Sequence, residues 1–444
     1  MDPAIVGLIG VGALAVILML GLPIAISLVL VGMGGLSFLV GVESAFGSAM
    51  ETIYHKIASY DLVTIPLFVL MGYLASAGGL SEKLFNSLNM LVGRMRGGLG
   101  ISAIGSCTAF GTVCGSSLVV ASVFSKICAP EMRRYGYEKK LAYGICASAG
   151  MIGMLIPPSV YMVVYGIQSG DSIGTLLIAG ITPGLMLTFF FSVLVYAIAR
   201  KRGDLIAEEE QNVRYTTSEK VMAFASLWQI WVLALVIFGG IFGGIFNPTE
   251  AAAVASTLLM VLMILSNVKN PKRILDMFRE SLYETASTSC MIFLVMAGAS
   301  VFTQFLVVTG LTDMVADVVL SLDIPLIGLV ALIVLVYVVL GCFLDSFSMI
   351  CITVPVFNPI VMTLGADPIW YAVMVAMAIH LGLITPPVGL NVYGAFAVAE
   401  SDVTLEDIFV GIMPFFWAVL LSIVLLLFIQ PLSTFLPNLM MKLL

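Results

Sequence analysis

The chain has 444 residues, of which 61% are hydrophobic and only 10% are charged, and its formal net charge is −7. This composition is far from that of a soluble domain, and many apolar stretches reach the roughly 20 residues that span a bilayer core. The longest polar stretch runs only from about residue 200 to residue 220 and no GxxxxGK[ST] motif occurs, which excludes an ATP-driven pump within this chain. We also expect no nucleic-acid partner.

The apolar stretches predict an all-α polytopic membrane protein. The predicted spans are 4–20, 22–41, 61–78, 140–167, 172–199, 227–246, 248–266, 287–309, 369–397 and 405–430. Two further stretches, 99–129 and 324–361, are too long for one span and are interrupted by Gly, Ser and Pro, which favours re-entrant helical hairpins. Amphipathic stretches at 43–60 and 269–286 are interpreted as interfacial arms, with ordinary polar loops as the alternative.

Basic residues indicate how the chain is threaded through the membrane. They cluster at 94–96, 133–140, 200–202 and 269–279, and the positive-inside rule places these loops in the cytoplasm. The N-terminus is then outside, and the first hairpin enters from the cytoplasm. The second hairpin enters from outside, flanked by acidic residues alone: Asp313, Asp317, Asp323 and Asp367.

The second half of the sequence repeats the first. Gly153-Met-Leu-Ile-Pro157-Pro158 returns as Gly382-Leu-Ile-Thr-Pro386-Pro387, an offset of 386 − 157 = 229. Each half holds five predicted spans and one hairpin, and an odd number of crossings inverts the second copy. Inverted repeats whose matched parts are interrupted apolar segments are typical of secondary transporters. The binding site is expected where the matched interruptions meet.

The hairpin tips are the first candidates for that site. They read Gly111-Thr-Val-Cys-Gly-Ser-Ser117 and Gly341-Cys-Phe-Leu-Asp-Ser-Phe-Ser348. A broken helix presents free N–H groups that attract anions and free carbonyls that attract cations. Hydroxyl groups at the tips can donate to a carboxylate or bind Na⁺: Ser116, Ser117, Ser346 and Ser348. The alternative is that small residues only let helices approach closely.

The Pro-Pro pairs are the second candidates. Proline removes a donor and disfavours helix at the preceding residue, so each pair should unwind a span near its middle. Oxygen ligands could then come from Ser148, Gly150 and Gly153 in one half, and from Gly382, Thr385 and Asn391 in the other. A kink without a ligand role is the alternative.

Three ionisable residues receive separate interpretations. Asp345 lies deep in a membrane-embedded element, where a charge is costly and usually functional. It could coordinate a cation, carry a proton or bind a substrate hydroxyl, or it could cap a half-helix. The segment Asn247-Pro248-Thr249-Glu250 predicts a structural capping box. His380 is interpreted as a core histidine.

These features together resemble the large membrane subunit of the tripartite ATP-independent periplasmic (TRAP) transporters. The likeness covers the arms, the hairpins and both Pro-Pro breaks, and Leu344-Asp345 with Ile352-Thr353-Val354-Pro355 and Pro359 is similar to the family's second-hairpin pattern. It implies an elevator mechanism, sodium coupling, a small four-helix membrane partner and a periplasmic substrate-binding protein. It also implies a multi-pass protein of the bacterial inner membrane.

The resemblance carries over to sites residue by residue. It implies one sodium site at Gly115 and Ser116 with Gly150 and Gly153, and another at Gly341 and Asp345 with Gly382 and Thr385. We expect the substrate to meet Ser116, Ser117, Asp345, Ser346, Ser348 and Asn391. Because Lys126 is the only basic residue near a span interior, a carboxylate would be held by helix N-termini, hydroxyls and Na⁺ rather than by Arg.

We therefore expect sodium-coupled uptake of a small organic acid, with sialic acid first and a C4-dicarboxylate next. The predicted parts are 1–60 (scaffold spans and first arm), 61–199 (transport half, whose last span can border the scaffold), 200–286 (cytoplasmic loop, scaffold spans and second arm) and 287–444 (second transport half and C-terminal span). The alternatives are a standalone sodium–dicarboxylate symporter, a channel and an intramembrane hydrolase. No GxSxG motif supports a hydrolase.

Overall fold

The structure, a computed structural model, describes residues 2–201, 215–321 and 324–443. Every regular element in these ranges is helical, which confirms the all-α prediction. Two residues of the topology prediction, Arg202 and Asp323, lie outside the described residues.

The helices up to residue 201 follow the predicted order closely. They are α1 (Pro3–Met19), α2 (Ile24–Val40), α3 (Val42–Ile57), α4 (Thr64–Ala77), α5 (Leu80–Val92), α6 (Gly98–Cys114), α7 (Ser117–Arg134), α8 (Lys139–Ala149), α9 (Val160–Ser169), α10 (Ile173–Ala179) and α11 (Ile181–Lys201). The first predicted arm is α3, and the first predicted hairpin is the pair α6 and α7. The fourth predicted span is indeed divided into α8 and α9.

The remaining described helices begin at residue 217. They are α12 (Thr217–Ser226), α13 (Trp228–Ala234), α14 (Gly240–Phe242), α15 (Pro248–Ser266), α16 (Pro271–Thr309), α17 (Leu311–Ser321), α18 (Leu326–Gly341), α19 (Ser346–Thr363), α20 (Pro368–Gly382), α21 (Leu390–Phe396), α22 (Leu405–Phe428) and α23 (Pro431–Leu443). The second hairpin is the pair α18 and α19, and the ninth predicted span is divided into α20 and α21.

Several of these helices can cross a membrane. In the described ranges, six are long and apolar enough, or seven if the two segments Thr217–Ser226 and Trp228–Phe242, bent by 48°, form one span. Shorter apolar helices of 10–17 residues are α1, α2, α6, α18 and α20. The chain is therefore a multi-pass membrane protein, and part of the predicted spans is built from half-length helices.

The second arm differs from its prediction. Residues 269–286 do not form a separate amphipathic helix, because α16 runs unbroken for 39 residues into the following span. Asn270 caps its first turn and Pro271 occupies the first helical position, but no further Pro interrupts it. A helix of that length is about 58 Å long, which exceeds the bilayer core of about 30 Å. Its polar first half therefore projects beyond the span.

Local capping explains the start of α15. Asn247 accepts a hydrogen bond from the Glu250 backbone at 2.8 Å, and the Glu250 carboxylate accepts one from the Asn247 backbone at 2.9 Å. This reciprocal pair confirms the predicted capping box. The Thr249 hydroxyl also hydrogen bonds to that of Thr64 at the start of α4, so the two helices are joined where they begin.

The core of the molecule is formed around the divided helices. Every residue of α20 from Trp370 to Gly382 is buried, as are α8 and α9 over most of their length. A helix that is apolar and buried on all sides packs against protein rather than lipid. By contrast α1 and α2 expose large apolar side chains such as Leu8, Ile9 and Phe38. The divided helices are thus the shielded centre of the fold.

Candidate functional site

In each half, one pair of glycines holds the hairpin against the divided helix. A Cβ atom added to Gly111 would lie 2.3 Å from the Cα of Gly153, and one added to Gly341 would lie 2.7 Å from the Cα of Gly382. Only glycine permits backbones to approach this closely. The two contacts occur at equivalent positions of the repeat, separated by 230 and 229 residues. They bring two predicted site glycines, Gly153 and Gly382, into contact with a hairpin, and the predicted Gly341 lies on the second hairpin.

The tip of the first hairpin is a two-residue break between α6 and α7. Gly115 has φ of +63°, a left-handed conformation that favours glycine. Ser116 then caps α7, and its hydroxyl oxygen accepts from the Val119 backbone at 3.5 Å. A Cβ on Gly150 would lie 2.9 Å from the Ser117 carbonyl oxygen. The predicted residues of this half are therefore neighbours.

The first divided helix is closed by its own hydroxyl cap. A 3₁₀ segment, Gly150–Met154, follows α8, and the Pro157-Pro158 bond is cis. The Ser159 hydroxyl accepts from the Met162 backbone at 3.2 Å and donates to the Met154 carbonyl. This serine therefore bridges the unwound segment. The buried hydroxyl of Ser148, near the end of α8, has no protein partner.

The tip of the second hairpin carries a charge. One carboxylate oxygen of Asp345 accepts from the backbones of Phe347 at 2.9 Å and Ser348 at 3.1 Å. The other oxygen accepts from the Ser348 hydroxyl. Asp345 therefore makes the N-cap that its sequence position allows, next to the buried Ser346. A carboxylate has about four acceptor positions, so this cap leaves room for a further ligand.

The second divided helix contains a buried amide without a partner. The Pro386-Pro387 bond is again cis, and the Thr385 hydroxyl donates back to the Leu381 carbonyl at 2.6 Å. Asn391 is fully buried, yet neither its amide oxygen nor its amide nitrogen has a partner within the protein. Buried polar groups without a partner are rare and costly. Asn391 is therefore the strongest indication of a bound ligand or water in this region.

The two hairpins and the two divided helices pack together across the two halves. Helix α21 packs on α7, so the end of the second divided helix contacts the first hairpin, and α9 packs on α19 in the reciprocal way. A Cβ on Gly394 would lie 3.2 Å from the Leu118 carbonyl oxygen. Each hairpin thus touches both divided helices. Both tips therefore lie in this one assembly.

A set of buried tyrosines on the first divided helix was not predicted from the sequence. Tyr161 and Tyr165 on α9 are buried, and neither hydroxyl has a partner in the protein. The Tyr161 ring lies 5.7 Å from that of His380. His380 is fully buried and bonds through Nδ1 to the Ala376 carbonyl, while its Nε2 has no partner. The i, i+4 spacing of the two tyrosines within an apolar span could have signalled this polar set.

A salt-bridge cluster links the two halves at one end of the bundle. Arg133, near the end of α7, bonds to both carboxylate oxygens of Asp402 at 2.7 and 2.9 Å and also pairs with Glu400. Lys139 pairs with Asp407 at 2.7 Å and donates to the Asp402 carbonyl at 2.7 Å. The hydrogen bond from Arg133 lowers the pKa of the Asp402 carboxyl. The first hairpin is thereby fixed to the loop before α22.

The chain matches known proteins over nearly its whole length. The family model of the tripartite ATP-independent periplasmic transporter, DctM component, matches residues 11–432. The sialic acid TRAP transporter large permease protein SiaM of Vibrio cholerae is 34% identical, covering 90% of both chains. The C4-dicarboxylate TRAP transporter large permease protein DctM of Pseudomonas aeruginosa is 32% identical, covering 91% of this chain and 92% of the relative.

Two further matches concern a longer relative and the fold. The isethionate TRAP transporter permease protein DctMQ of Oleidesulfovibrio alaskensis is 31% identical over 92% of this chain, which spans only 63% of that protein. Among solved structures, the Alcanivorax borkumensis YdaH transporter is similar with a TM-score of 0.61, 17% identity and coverage of 87% of this chain and 88% of that one. At that identity the likeness concerns the fold alone.

Proposed function

Since the chain belongs to the DctM component family of the tripartite ATP-independent periplasmic transporters, we propose that it carries a small organic acid across the bacterial inner membrane by sodium-coupled symport. Its relatives are permeases rather than enzymes, so the hydrolase alternative is rejected. The proposal places the N-terminus on the periplasmic side. It includes a small four-helix membrane subunit and a periplasmic binding protein as partners.

The observation that carries the proposal is the interlocked assembly of hairpins and divided helices. Gly111 with Gly153, and Gly341 with Gly382, put each tip beside an unwound segment. Unwound backbone within a membrane protein is tolerated where it lines a cavity or a binding site. The repetition of this geometry at equivalent positions supports inverted repeats, and the packing of both hairpins into one unit supports an elevator movement of that unit against a scaffold that includes α2. In this proposal α16 also belongs to the scaffold, because it packs on α2 and α3, although residues 287–309 are predicted from the sequence as part of the second transport half.

Sodium suits the ligands that these segments offer. Hydroxyl and carbonyl oxygens are available at Ser116 and Gly150 in one half, and at Thr385 in the other, with Asp345 as a carboxylate. In the described ranges, no group of three or more His, Cys, Asp or Glu is placed to hold a metal ion. Mostly neutral oxygens match a weakly bound monovalent cation that must also be released. We therefore propose Na⁺ as a co-transported ion rather than a resident metal.

The substrate would bind between the sodium positions. Ser117, Ser346 and Ser348 are buried at the tips, and Asn391 has free hydrogen-bonding capacity. Such groups suit a hydroxylated acid, which makes sialic acid the first substrate to test and a C4-dicarboxylate the second. The names of the relatives support either choice, because their identities of 34% and 32% are nearly equal.

Coupling requires that ions bind the loaded and empty states differently. Sodium bound beside each tip would order it and complete the substrate site, and the loaded unit would then move. The binding protein would deliver substrate to the outer face. A standalone symporter remains the second candidate, since the same assembly could work without that delivery.

Uptake into proteoliposomes tests the proposal. The vesicles hold this chain with its small subunit, and the binding protein and an inward Na⁺ gradient are each present or omitted. Accumulation of labelled sialic acid that needs both supports the tripartite function. Uptake with Na⁺ alone would favour the standalone symporter, and uptake of succinate but not sialic acid would replace the proposed substrate. Uptake that follows a proton gradient without Na⁺ would reject sodium coupling.

A further inference from the structure

A polar cleft lies between α3, the second half of α16, the end of α9 and the middle of α19. Its volume is about 610 Å³, within the range of about 300–1,000 Å³ that is common for small-ligand pockets. We call it the arm cleft, and the lining side chains that matter here are Glu51, His55, Lys56, Gln168, Thr303 and Gln304. None of its lining residues belongs to the hairpin tips or to the proposed transport site.

Lys56 distinguishes this cleft. Its Nζ donates to the Ile167 carbonyl oxygen in the last turn of α9 at 2.9 Å. In the part of the chain that the structure describes, no carboxylate lies within ion-pair distance of it. An ammonium group has three donors, so two are left for a ligand. Burial lowers the pKa of Lys56, as expected for an amine that is partly shielded from water.

The helix that carries Lys56 is held in place by its neighbours. The Gln304 amide oxygen accepts from the Thr52 hydroxyl at 2.9 Å, and its amide nitrogen donates to the Ser48 hydroxyl. These bonds fix α3 on α16. A cation on a fixed helix is preorganised, so a ligand need not order a flexible side chain to bind it.

The position of Lys56 in the predicted topology gives it further weight. The basic clusters lie on the cytoplasmic side, and the same threading leaves only Lys56 and Lys442 among Lys and Arg residues on the outer side. An organic anion that arrives from outside therefore meets one partly buried cation, surrounded mainly by polar side chains. Such a charge attracts anions and concentrates them locally.

We propose that the arm cleft is an external binding site for the carboxylate of a small organic acid, with Lys56 as its anchor and Gln168 and Thr303 as hydrogen-bonding side chains. This inference rests on the proposed function, in which the site receives the acid before it reaches the hairpin tips. The cleft is shared between the proposed fixed part, α3 and α16, which pack on each other, and the proposed moving part, α9 and α19. Movement of the second part would therefore dismantle the site and release its ligand.

Glu51 tests whether the charge of the cleft controls anion binding. It lines the same cleft and carries the opposite charge. Replacement of Lys56 by Gln should weaken anion binding by about tenfold, the order expected for one unit charge several ångströms away at an intermediate dielectric. Glu51→Gln should strengthen binding. A purely structural role of Lys56 at the end of α9 would not produce opposite effects.

The direct experiment measures ligand protection of a thiol in the cleft. The parent is Cys290→Ser, which removes the exposed cysteine of the described chain, and Val307→Cys supplies the reporter, because Val307 lines the cleft without a proposed contact to the ligand. This chain and its small subunit are placed in phosphatidylcholine nanodiscs without binding protein. The rate at which a neutral maleimide labels the reporter cysteine is then measured at increasing concentrations of succinate or N-acetylneuraminate. Succinamide, which has no charge, is the control ligand.

We expect at least one of the two acids to slow labelling and succinamide to have no effect. The half-protecting concentration should rise about tenfold in Lys56→Gln and fall in Glu51→Gln. Protection that does not depend on residue 56 would contradict the proposal. Protection that appears without added acid, when anionic lipid is included, would assign the site to a lipid headgroup instead.

Uptake supplies a second readout that does not require the reporter cysteine. With binding protein present, Lys56→Gln should raise KM about tenfold and leave the maximal rate unchanged. An unchanged KM, or a lower maximal rate alone, would mean that the contact between Lys56 and Ile167 only supports the fold. Failure of the parent chain to transport any acid would reject the proposed function itself, and labelling would still report on the cleft.

Discussion

The two halves of the molecule share a backbone framework but differ in the chemistry placed on it. In the first half, neutral serines close the breaks, with Ser116 capping α7 and Ser159 bridging the divided helix. In the second half, a carboxylate, Asp345, caps the hairpin and the buried amide of Asn391 has no partner. Glycine contacts and Pro-Pro breaks are common to both.

This difference separates architecture from ligand binding. The common framework needs only glycine where backbones touch and proline where a helix must end. The charge at a hairpin tip lies in the second half, at Asp345, whereas buried polar groups without a protein partner occur in both halves, at Ser148 and Tyr161 as well as at Asn391. We therefore expect changes at the neutral first tip to reduce uptake less than changes at the charged second tip.

The largest expected effect comes from the shared framework. Gly111→Ala places a methyl group 2.3 Å from the Cα of Gly153, and Gly341→Ala places one 2.7 Å from the Cα of Gly382. Overpacking against a backbone that cannot yield typically costs at least about 1–3 kcal/mol, so both variants should lose uptake and unfold at a lower temperature. Gly34→Ala on α2 is the matched control, since nothing lies within 4 Å of the added atom.

These two glycine variants test whether the two halves share one backbone framework. Equal losses of uptake and thermal stability support equivalent tips. Loss in only one of the two would mean that the halves do not share a framework, whatever their sequences suggest.

The next largest effect separates the two hairpin caps. Asp345→Ala removes a charged cap and should reduce uptake about 100-fold, since charge-assisted hydrogen bonds are worth about 1.5–3 kcal/mol. Ser116→Ala removes a neutral cap worth about 1 kcal/mol and should reduce uptake about fivefold. Initial uptake rates at saturating Na⁺ measure both.

Asp345→Asn tells capping from ion binding. It retains an acceptor for the Phe347 and Ser348 backbones but removes the charge. Recovery of normal sodium dependence in Asp345→Asn would show that Asp345 only caps the helix. Loss of sodium dependence with an intact fold would support the sodium site.

A smaller effect concerns the divided helices. Asn391→Ala removes an amide that has no protein partner, so the melting temperature should not fall, while KM for the substrate should rise about tenfold, the effect of a lost interaction of about 1.4 kcal/mol. Ser159→Ala should do the opposite, with stability reduced by about 1 kcal/mol through the lost cap and KM unchanged. A lower melting temperature in Asn391→Ala with unchanged KM would reject a ligand role.

The smallest effect lies at the ends of the bundle. Asp402 is paired with Arg133. In the other copy of the repeat, Met362 takes the place of Arg133 and Asp171 takes the place of Asp402. One buried carboxylate oxygen of Asp171 has no partner. The pKa of Asp402 is lowered in the folded protein. Its contribution to stability is therefore present above the unfolded pKa of about 4 and is lost as pH falls through the folded pKa.

Thermal unfolding at several pH values measures this contribution. Arg133→Gln should lower the melting temperature slightly at pH 7, and the difference from the parent should shrink below about pH 4. The Asp402 side chain is exposed and that of Arg133 is partly exposed, so the loss should be small. A difference that grows as the pH falls would contradict the assigned pairing.

The sequence was informative where local rules decide the structure. The Pro-Pro pairs and the Asn247–Glu250 capping box each depend on neighbours within a few residues, and both appear as predicted. It was less informative for α5 and α17, whose amphipathic sequences resemble loops until tertiary contacts support them. The length of α16 was also missed, because an amphipathic stretch and a span join without any helix-breaking residue between them.

Long-range partners were beyond sequence reasoning. Arg133 and Lys139 were interpreted as markers of topology, and only the fold shows that they pair with Asp402 and Asp407. The arm cleft likewise depends on packing, since Lys56 and Gln168 are 112 residues apart in the sequence. The ligands proposed for Na⁺ and substrate stay predictions, because proximity at the tips does not identify what binds there.

The most direct test of the central proposal is the dependence of uptake on Na⁺ concentration. If sodium binds beside both tips, the parent curve should be sigmoidal, and Ser116→Ala and Thr385→Ala should each raise the half-activating Na⁺ concentration. A hyperbolic curve that neither variant shifts, or uptake that persists without Na⁺, would contradict a sodium site in each half.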